Sequence, residues 1–194
     1  MIKNLENKLK FIELMDEMKN IERAMFLKIW KQETNAEHSF HLAMIVLVFI
    51  EDFPELDAFK CVKMALYHDL VEIFAWDTVI FDEKMEKTKK QRELKAIWQL
   101  EDVLWKQDFK NIRDLIEEYE QKGSLEAEFV HQIDKFQPII QIVIEWWKSW
   151  HKWKIDKNKL VEKYKKIDDN FGLIKVLNKY FEKAEKENMF YNEK

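Results

Sequence analysis

The sequence predicts an all-α fold, a single compact helical bundle over residues 1–194 with accessory helices at its C-terminal end. Three observations predict it. Gly and Pro occur only twice each in 194 residues, well below the roughly one-tenth share they usually hold together, and sheets need the turns those residues make. Apolar residues recur at helical spacing along most of the chain. Hydrophobic residues make up 47%, enough for the core of one ordinary domain and too many for a disordered chain.

The elements follow in order. A first helical stretch is expected over 5–30, broken near Asn20, with Leu9, Ile12, Met15, Ile21 and Met25 as its apolar face. Thr34, Asn35, Ala36 and Glu37 write a capping box that starts a second helix. It runs to about residue 52, is apolar on every side as a central core helix would be, and is ended by Pro54. A third helix is expected over 57–75, burying Phe59, Val62, Leu66, Leu70 and Ile73. The charged segment 82–95 leads into a fourth helix reaching about residue 105, and a short helix over 112–119 ends before Gly123. Ser124 caps a long helix through residue 150, with Glu126 and Glu128 where the helix dipole favours them and Pro138 expected to kink it. One or two amphipathic helices around Gly172 fill 157–187. The motif-bearing core is therefore about 21–150, and about 151–187 is a helical extension.

Composition excludes several functions. With 33 Lys+Arg against 37 Asp+Glu the net charge is −4, which argues against a nucleic-acid polymer as partner. Only Gly123 and Gly172 are available, so no glycine-rich phosphate loop can be written. A single Cys, Cys61, excludes a disulfide framework and a Cys-based zinc site and fits a reducing compartment. The longest apolar run, residues 42–50, is far short of the about 20 residues a membrane span needs. No basic-then-apolar leader opens the chain, so the expected location is cytoplasmic, without membrane contact.

Five His residues are present, and His68 stands beside Asp69 near the end of a mostly apolar helix. Burying that pair without a partner is costly, and a metal ion would satisfy both. Glu72 lies at i+4 from His68 and i+3 from Asp69 on a continuous helix, and Asp77 follows just past the helix end. Two more metal-capable side chains sit on apolar backgrounds: His38 in the second helix and Asp134 in the long later one. Mixed imidazole and carboxylate ligation suits one divalent ion such as Co, Mn, Mg, Zn or Fe. Two His and two Asp leave coordination positions open, and an open site lowers the pKa of bound water. Any one buried His taken singly is more often a hydrogen-bonded core residue; the weight lies in the joint pattern.

That pattern, H…HD…D on successive helices, resembles the HD-domain metal-dependent phosphohydrolases, most nearly their 5′-deoxynucleotidase branch. The residues that carry it are Glu33 and Ala36-Glu37-His38-Ser39, then Ala65-Leu66-Tyr67-His68-Asp69 with Glu72 and Asp77, then Glu126 to Val130 leading to Ile133-Asp134-Lys135. The resemblance implies the HD-domain bundle. It implies that His38, His68, Asp69 and Asp134 are metal ligands, that Glu72 acts beside the metal as water-positioning group or general base, and that Asp77 takes part in catalysis and nucleotide selection. Arg23, fifteen residues before His38, matches the family's phosphate-holding Arg, whose planar fork suits a phosphate dianion. The implied activity is hydrolysis of (deoxy)ribonucleoside 5′-monophosphates to nucleoside and phosphate, with a small-molecule nucleotide as substrate and a homodimer as the assembly. The chain departs from the family at Ala24, Asn35 and Trp76.

Two alternatives stay open: an HD phosphohydrolase acting on another phosphorylated metabolite, and a non-catalytic helical protein stapled by a structural metal. A di-iron HD oxygenase needs further His ligands between the HD pair and the last Asp, and His131 alone stands in that interval. Glu37 is assigned to the capping box, His41 and His131 to structural roles, and His151 to the surface. The Trp-rich segment 146–153 is read as packing against the tail helices or a partner subunit. Lys89, Lys90, Arg92 and Glu93 are read as a solvated helix face.

Overall fold

Side chains written into the sequence set where the helices begin. The computed structural model of the chain describes residues 2–28, 30–75, 83–103, 106–145, 148–152, 154–164 and 169–191. In order these form α1 (Leu5–Asp16), β1 (Glu22–Phe26), β2 (Gln32–Thr34), α2 (Asn35–Phe49), α3 (Ala58–Tyr67), α4 (Glu72–Ala75), α5 (Glu83–Val103), α6 (Lys106–Gln121), α7 (Leu125–Glu145), α8 (Lys148–Lys152), α9 (Lys157–Tyr164) and α10 (Ile174–Lys186). The capping box at Thr34 is formed: the Glu37 amide donates to Thr34 Oγ1 at 3.3 Å, and the Thr34 amide donates to Glu37 Oε2 at 2.9 Å. Asp57 caps α3 by accepting from the Lys60 amide at 3.0 Å. Ser124 Oγ accepts from the Ala127 amide at 3.2 Å at the start of α7. Gly172 takes φ 66 ahead of α10, a conformation other residues enter at a cost.

The all-helical expectation holds apart from one small feature. The first helix stops before Asn20, and β1 and β2 pair antiparallel, Glu22 with Thr34 and Phe26 with Gln32. The helical spacing of Ile21 and Met25 is overridden by cross-strand partners. Gln32 donates to the Arg23 carbonyl at 2.9 Å, and Arg23 Nε lies 3.6 Å from Glu33 Oε2. Within α1, Leu9 and Ile12 are exposed, while Phe11, Leu14 and Met15 turn inward. The third helix breaks at His68, and within it Phe59 (72% exposed) and Leu66, expected inside, lie outside, while Cys61, Met64 and Ala65 lie inside. The short helix expected over 112–119 is the longer α6.

Three of the hydrophobic clusters share α7 as a spine. Leu42 and Val46 of α2 and Met64 and Ala65 of α3 meet Phe129, Val130 and Ile133 of α7. Farther along, Phe136 and Ile139 pack against Leu177 of α10. Val143 joins Trp150, Leu160, Ala184 and Phe190, with Trp150 stacked on Phe190 at 4.8 Å. Trp150 thus packs on the tail as expected, while Trp146, Trp147 and Trp153 lie outside the described residues. A further cluster holds Leu70 and Val71, just before α4, against Ala96 and Leu100 of α5 and Ile112 and Ile116 of α6. Burial at roughly 25 cal/mol per Å² makes these clusters the main force that holds the site's helices together. Lys60 pins α3 to α6 and α7 through Glu118 at 2.6 Å and Glu126 at 3.3 Å.

Candidate metal centre

Three chain segments each deliver one part of the site. His38 sits one turn into α2, at a depth fixed by the capping box. His68 follows the last residue of α3, and its amide still donates to the Met64 carbonyl at 2.9 Å. The chain then turns, with the Glu72 amide donating to the Asp69 carbonyl at 3.0 Å, and α4 begins at Glu72. Asp134 projects from the middle of α7. Pro138 has no amide hydrogen to donate to the Asp134 carbonyl one turn back, so that rung of the α7 ladder is missing.

The side chains converge. His38 Nε2 lies 3.1 Å from Asp134 Oδ1 and 3.8 Å from Asp69 Oδ2. His68 Nε2 lies 3.1 Å from Asp69 Oδ1 and 3.8 Å from Asp134 Oδ1. Ligand atoms of His38, His68 and Asp69 all fall within 4.8 Å of one another. Both Nε2 atoms are buried and make no hydrogen bond, close as they are to carboxylate oxygens. Orphaned imidazole nitrogens facing two carboxylates are what a cation-holding site leaves when its ion is set aside. The two N and two O donors suit a divalent ion of the first transition row or Mg.

A second layer orients these groups. Asp134 Oδ2 accepts from Tyr119 Oη at 3.0 Å and Lys135 Nζ at 2.8 Å, which turns Oδ1 toward the two imidazoles. Tyr119, from α6, also lies ring against ring with His68 at 5.0 Å. His68 Nδ1 faces the Ala65 carbonyl at 3.1 Å, and His38 Nδ1 faces Gln137 Oε1 at 3.1 Å. Arg23 Nη1 donates to Asp69 Oδ2 at 2.7 Å and lies 4.0 Å from Glu72 Oε2. Asn35, fully buried, donates to Glu72 Oε2 through Nδ2 and accepts from Arg23 Nη1 at 3.4 Å.

Electrostatics follow from burial and pairing. Burial pulls His38 down to about 4, and the Arg23 charge adds to the pull. Burial works against His68 as well, but Asp69 and Asp134 outweigh it and raise its pKa. Asp69 is held well below the usual carboxylate range: burial opposes this, and His68 and Arg23 overcome it. Asp134 is lowered too, by Lys135 and the two imidazoles against burial. Two ionised carboxylates in a buried space call for added positive charge, which a divalent cation provides.

The structure brings together six of the seven expected residues: Arg23, His38, His68, Asp69, Glu72 and Asp134. The seventh, Asp77, lies outside the described residues. Glu72 reaches the site although the helix breaks between it and His68, so its place rests on the turn at 68–71 and not on continuous helical spacing. His41 contacts Gln137 Nε2 at 3.1 Å, and His131 lies against the Tyr119 ring at 5.6 Å; neither faces the two Nε2 atoms. Tyr119 and Gln137 were not expected. Gln137 had a signal: Asp134, Gln137 and Gln141 form a polar stripe at helical spacing in an apolar helix. Tyr119 had none.

Comparison with known proteins gives the family and the fold. A family model described as an HD domain matches residues 15–175. The 5′-deoxynucleotidase HDDC2 of Bos taurus is 32% identical over 137 residues, 70% of this chain and 66% of that protein. That of Homo sapiens is 30% identical over 135 residues, 69% of this chain and 65% of that protein. The chain thus spans just under two thirds of the length of these curated relatives. Among solved structures, one described as a predicted metal-dependent phosphohydrolase from Magnetospirillum magnetotacticum MS-1 superposes with a TM-score of 0.88 at 26% identity, covering 97% of this chain and 96% of that one. PH0347 protein from Pyrococcus horikoshii OT3 shares the fold at a TM-score of 0.66 and 21% identity, over 90% of this chain and 99% of that one.

Proposed function

The chain belongs to the HD domain family, and from that premise we propose that it is a divalent-metal-dependent phosphohydrolase that converts deoxyribonucleoside 5′-monophosphates to nucleoside and phosphate. One observation carries the reading. Two buried imidazole Nε2 atoms without hydrogen bonds meet the carboxylates of Asp69 and Asp134 beside a guanidinium. The names of the curated relatives support the nucleotide as substrate.

His38, His68, Asp69 and Asp134 would hold the ion. When bound, a divalent ion supplies Lewis-acid chemistry at a water and at a phosphoryl oxygen. The remaining work falls to the chain's own groups. Arg23 holds the phosphate dianion; its guanidinium is already aimed by Asp69, Asn35 and Glu33. Glu72 orients the attacking water and takes its proton at a carboxylate oxygen, and Asn35 fixes that carboxylate by donating to Oε2. The water oxygen bonds to phosphorus, the bond from phosphorus to the 5′-oxygen breaks, and the 5′-oxygen leaves with a proton passed to it by Asp77, which balances the one Glu72 removes from the water. Asp77, two residues beyond α4, is assigned to that leaving oxygen and to nucleotide choice.

The assembly we propose is a homodimer. Its support is on α2, where Phe40 (65% exposed), Met44, Leu47 and Val48 recur at helical spacing on the outer side. A cytoplasmic location is proposed with it, in keeping with Cys61 as a free, buried thiol. No helix among the described residues is long and apolar enough to cross a membrane.

The test is product analysis on a deoxyribonucleoside 5′-monophosphate with cobalt supplied. The expected products are nucleoside and inorganic phosphate in equal amounts. Glu72→Gln is expected to lower kcat by about 10²–10⁴-fold while cobalt still binds. Full activity in that variant would remove Glu72 from the proposal.

A further inference from the structure

Gln137 stands at the centre of a buried polar chain that the reaction outlined above does not use. It is fully buried on α7, three residues after Asp134. Its Oε1 faces His38 Nδ1 at 3.1 Å. Its Nε2 faces Glu33 Oε1 at 3.1 Å, Gln141 Oε1 at 2.7 Å and His41 Nδ1 at 3.1 Å.

The amide orientation follows from these neighbours. A Glu33 carboxyl oxygen and the Gln141 amide carbonyl oxygen both stand at the Nε2 end, and the amide carbonyl oxygen carries no hydrogen, so the Gln137 atom 2.7 Å from it must supply one. Gln141 is itself oriented, since its Nε2 donates to the Phe26 carbonyl at 3.5 Å. The Nε2 end of Gln137 is therefore the donor end, and the atom facing His38 is a carbonyl oxygen. A carbonyl oxygen only accepts, so the hydrogen between Gln137 and His38 belongs to His38 Nδ1. A neutral imidazole carries one ring proton. With it on Nδ1, the lone pair stands on Nε2, the atom 3.1 Å from Asp134 Oδ1.

We infer that Gln137 is a positioning residue for the metal centre: its side-chain carbonyl, aimed by Glu33 and Gln141, locks His38 in the Nδ1–H tautomer and so presents the Nε2 lone pair to the ion. Glu33 also lies 3.6 Å from Arg23 Nε. One buried chain, Arg23–Glu33–Gln137–His38, thus ties the guanidinium on β1 to a ligand on α2 by way of α7. The inference rests on the metal-holding part of the proposal above but not on the substrate.

Two measurements test it without turnover. The first is the tautomer of His38 in the metal-free wild-type protein, read from long-range ¹H–¹⁵N correlations of the ring. A protonated Nδ1 and a bare Nε2 are expected; an Nε2–H tautomer overturns the assignment. The second is cobalt affinity by direct titration. Gln137→Leu keeps the volume and removes the acceptor, and is expected to weaken cobalt binding by about 10- to 100-fold. Unchanged affinity in a folded Gln137→Leu protein overturns the inference. Because that variant strands buried polar groups, a swap accompanies it: Glu33→Gln with Gln137→Glu. The swap keeps an oxygen facing His38 Nδ1; the second oxygen of the carboxylate introduced at position 137 accepts from the amide introduced at position 33 and from Gln141, whose amide turns toward it and gives up its 3.5 Å contact with the Phe26 carbonyl, so affinity is expected to return toward wild type. A folded swap that binds cobalt as weakly as Gln137→Leu also overturns it. Absence of nucleotide hydrolysis would leave both readouts standing, so the two proposals fail separately.

Discussion

At the scale of single residues, the buried acid Glu33 gives a test with a definite sign. Burial pushes its pKa from an ordinary 4.5 up to about 7, even though the Arg23 charge pulls the other way. Below about pH 4.5 the group is protonated in folded and unfolded chains alike, so it costs nothing there. Between about 4.5 and 7 the unfolded chain ionises and the folded one does not, so the group's contribution falls as pH rises; above 7 the cost stays constant. Glu33→Gln cannot titrate. Its stability relative to wild type is expected to rise by about 3 kcal/mol across that window. Urea unfolding of both metal-free proteins near pH 4.5 and near pH 7.5 reads the difference, and a gap that does not change with pH would contradict the burial argument. Residue types at this scale were the most legible in the sequence: His38, His68, Asp69 and Asp134 are polar interruptions of apolar helices, and they converge. Tyr119 was not legible, because a Tyr in an amphipathic helix looks like packing until its hydroxyl is seen on Asp134.

At the scale of elements, caps were legible and breaks were not. The box at Thr34 follows from local chemistry alone, and it sets where His38 falls on α2. Thr34→Ala is expected to cost about 1 kcal/mol, read as a lower unfolding midpoint with the denaturant slope unchanged; no shift would mean that tertiary packing alone fixes the helix start. The break after Tyr67 had no Gly or Pro to announce it. The chain leaves the helix there because Asp69 takes a partner outside it, the Arg23 guanidinium, while His68 Nδ1 turns back to the Ala65 carbonyl within it. For the same reason the pairing of β1 with β2 was unreadable: Arg23 pairs with Asp69, Asn35 and Glu33, all remote from the local pattern that reads as helix.

At the scale of the whole molecule, the bundle was legible from composition, since so few turn-forming residues leave little but long helices. The outer face of α2 was not. A helix apolar all round reads as fully enclosed, yet Phe40, Met44, Leu47 and Val48 stay exposed in one chain. If a second copy covers them, Phe40→Glu with Val48→Glu is expected to give a monomer by light scattering at concentrations where wild type is a dimer; a dimer in both would send the interface elsewhere. The central claim, that the His and Asp centre hydrolyses nucleotides, is tested most directly by phosphate release across paired ribo- and deoxyribonucleoside 5′-monophosphates. The protein is stripped of metal and then given Co, Mn, Mg or Zn. The account predicts release that requires added metal, favours the deoxy series and is lost in Asp69→Ala. A protein that binds the ion yet releases phosphate from no member of the panel would contradict it.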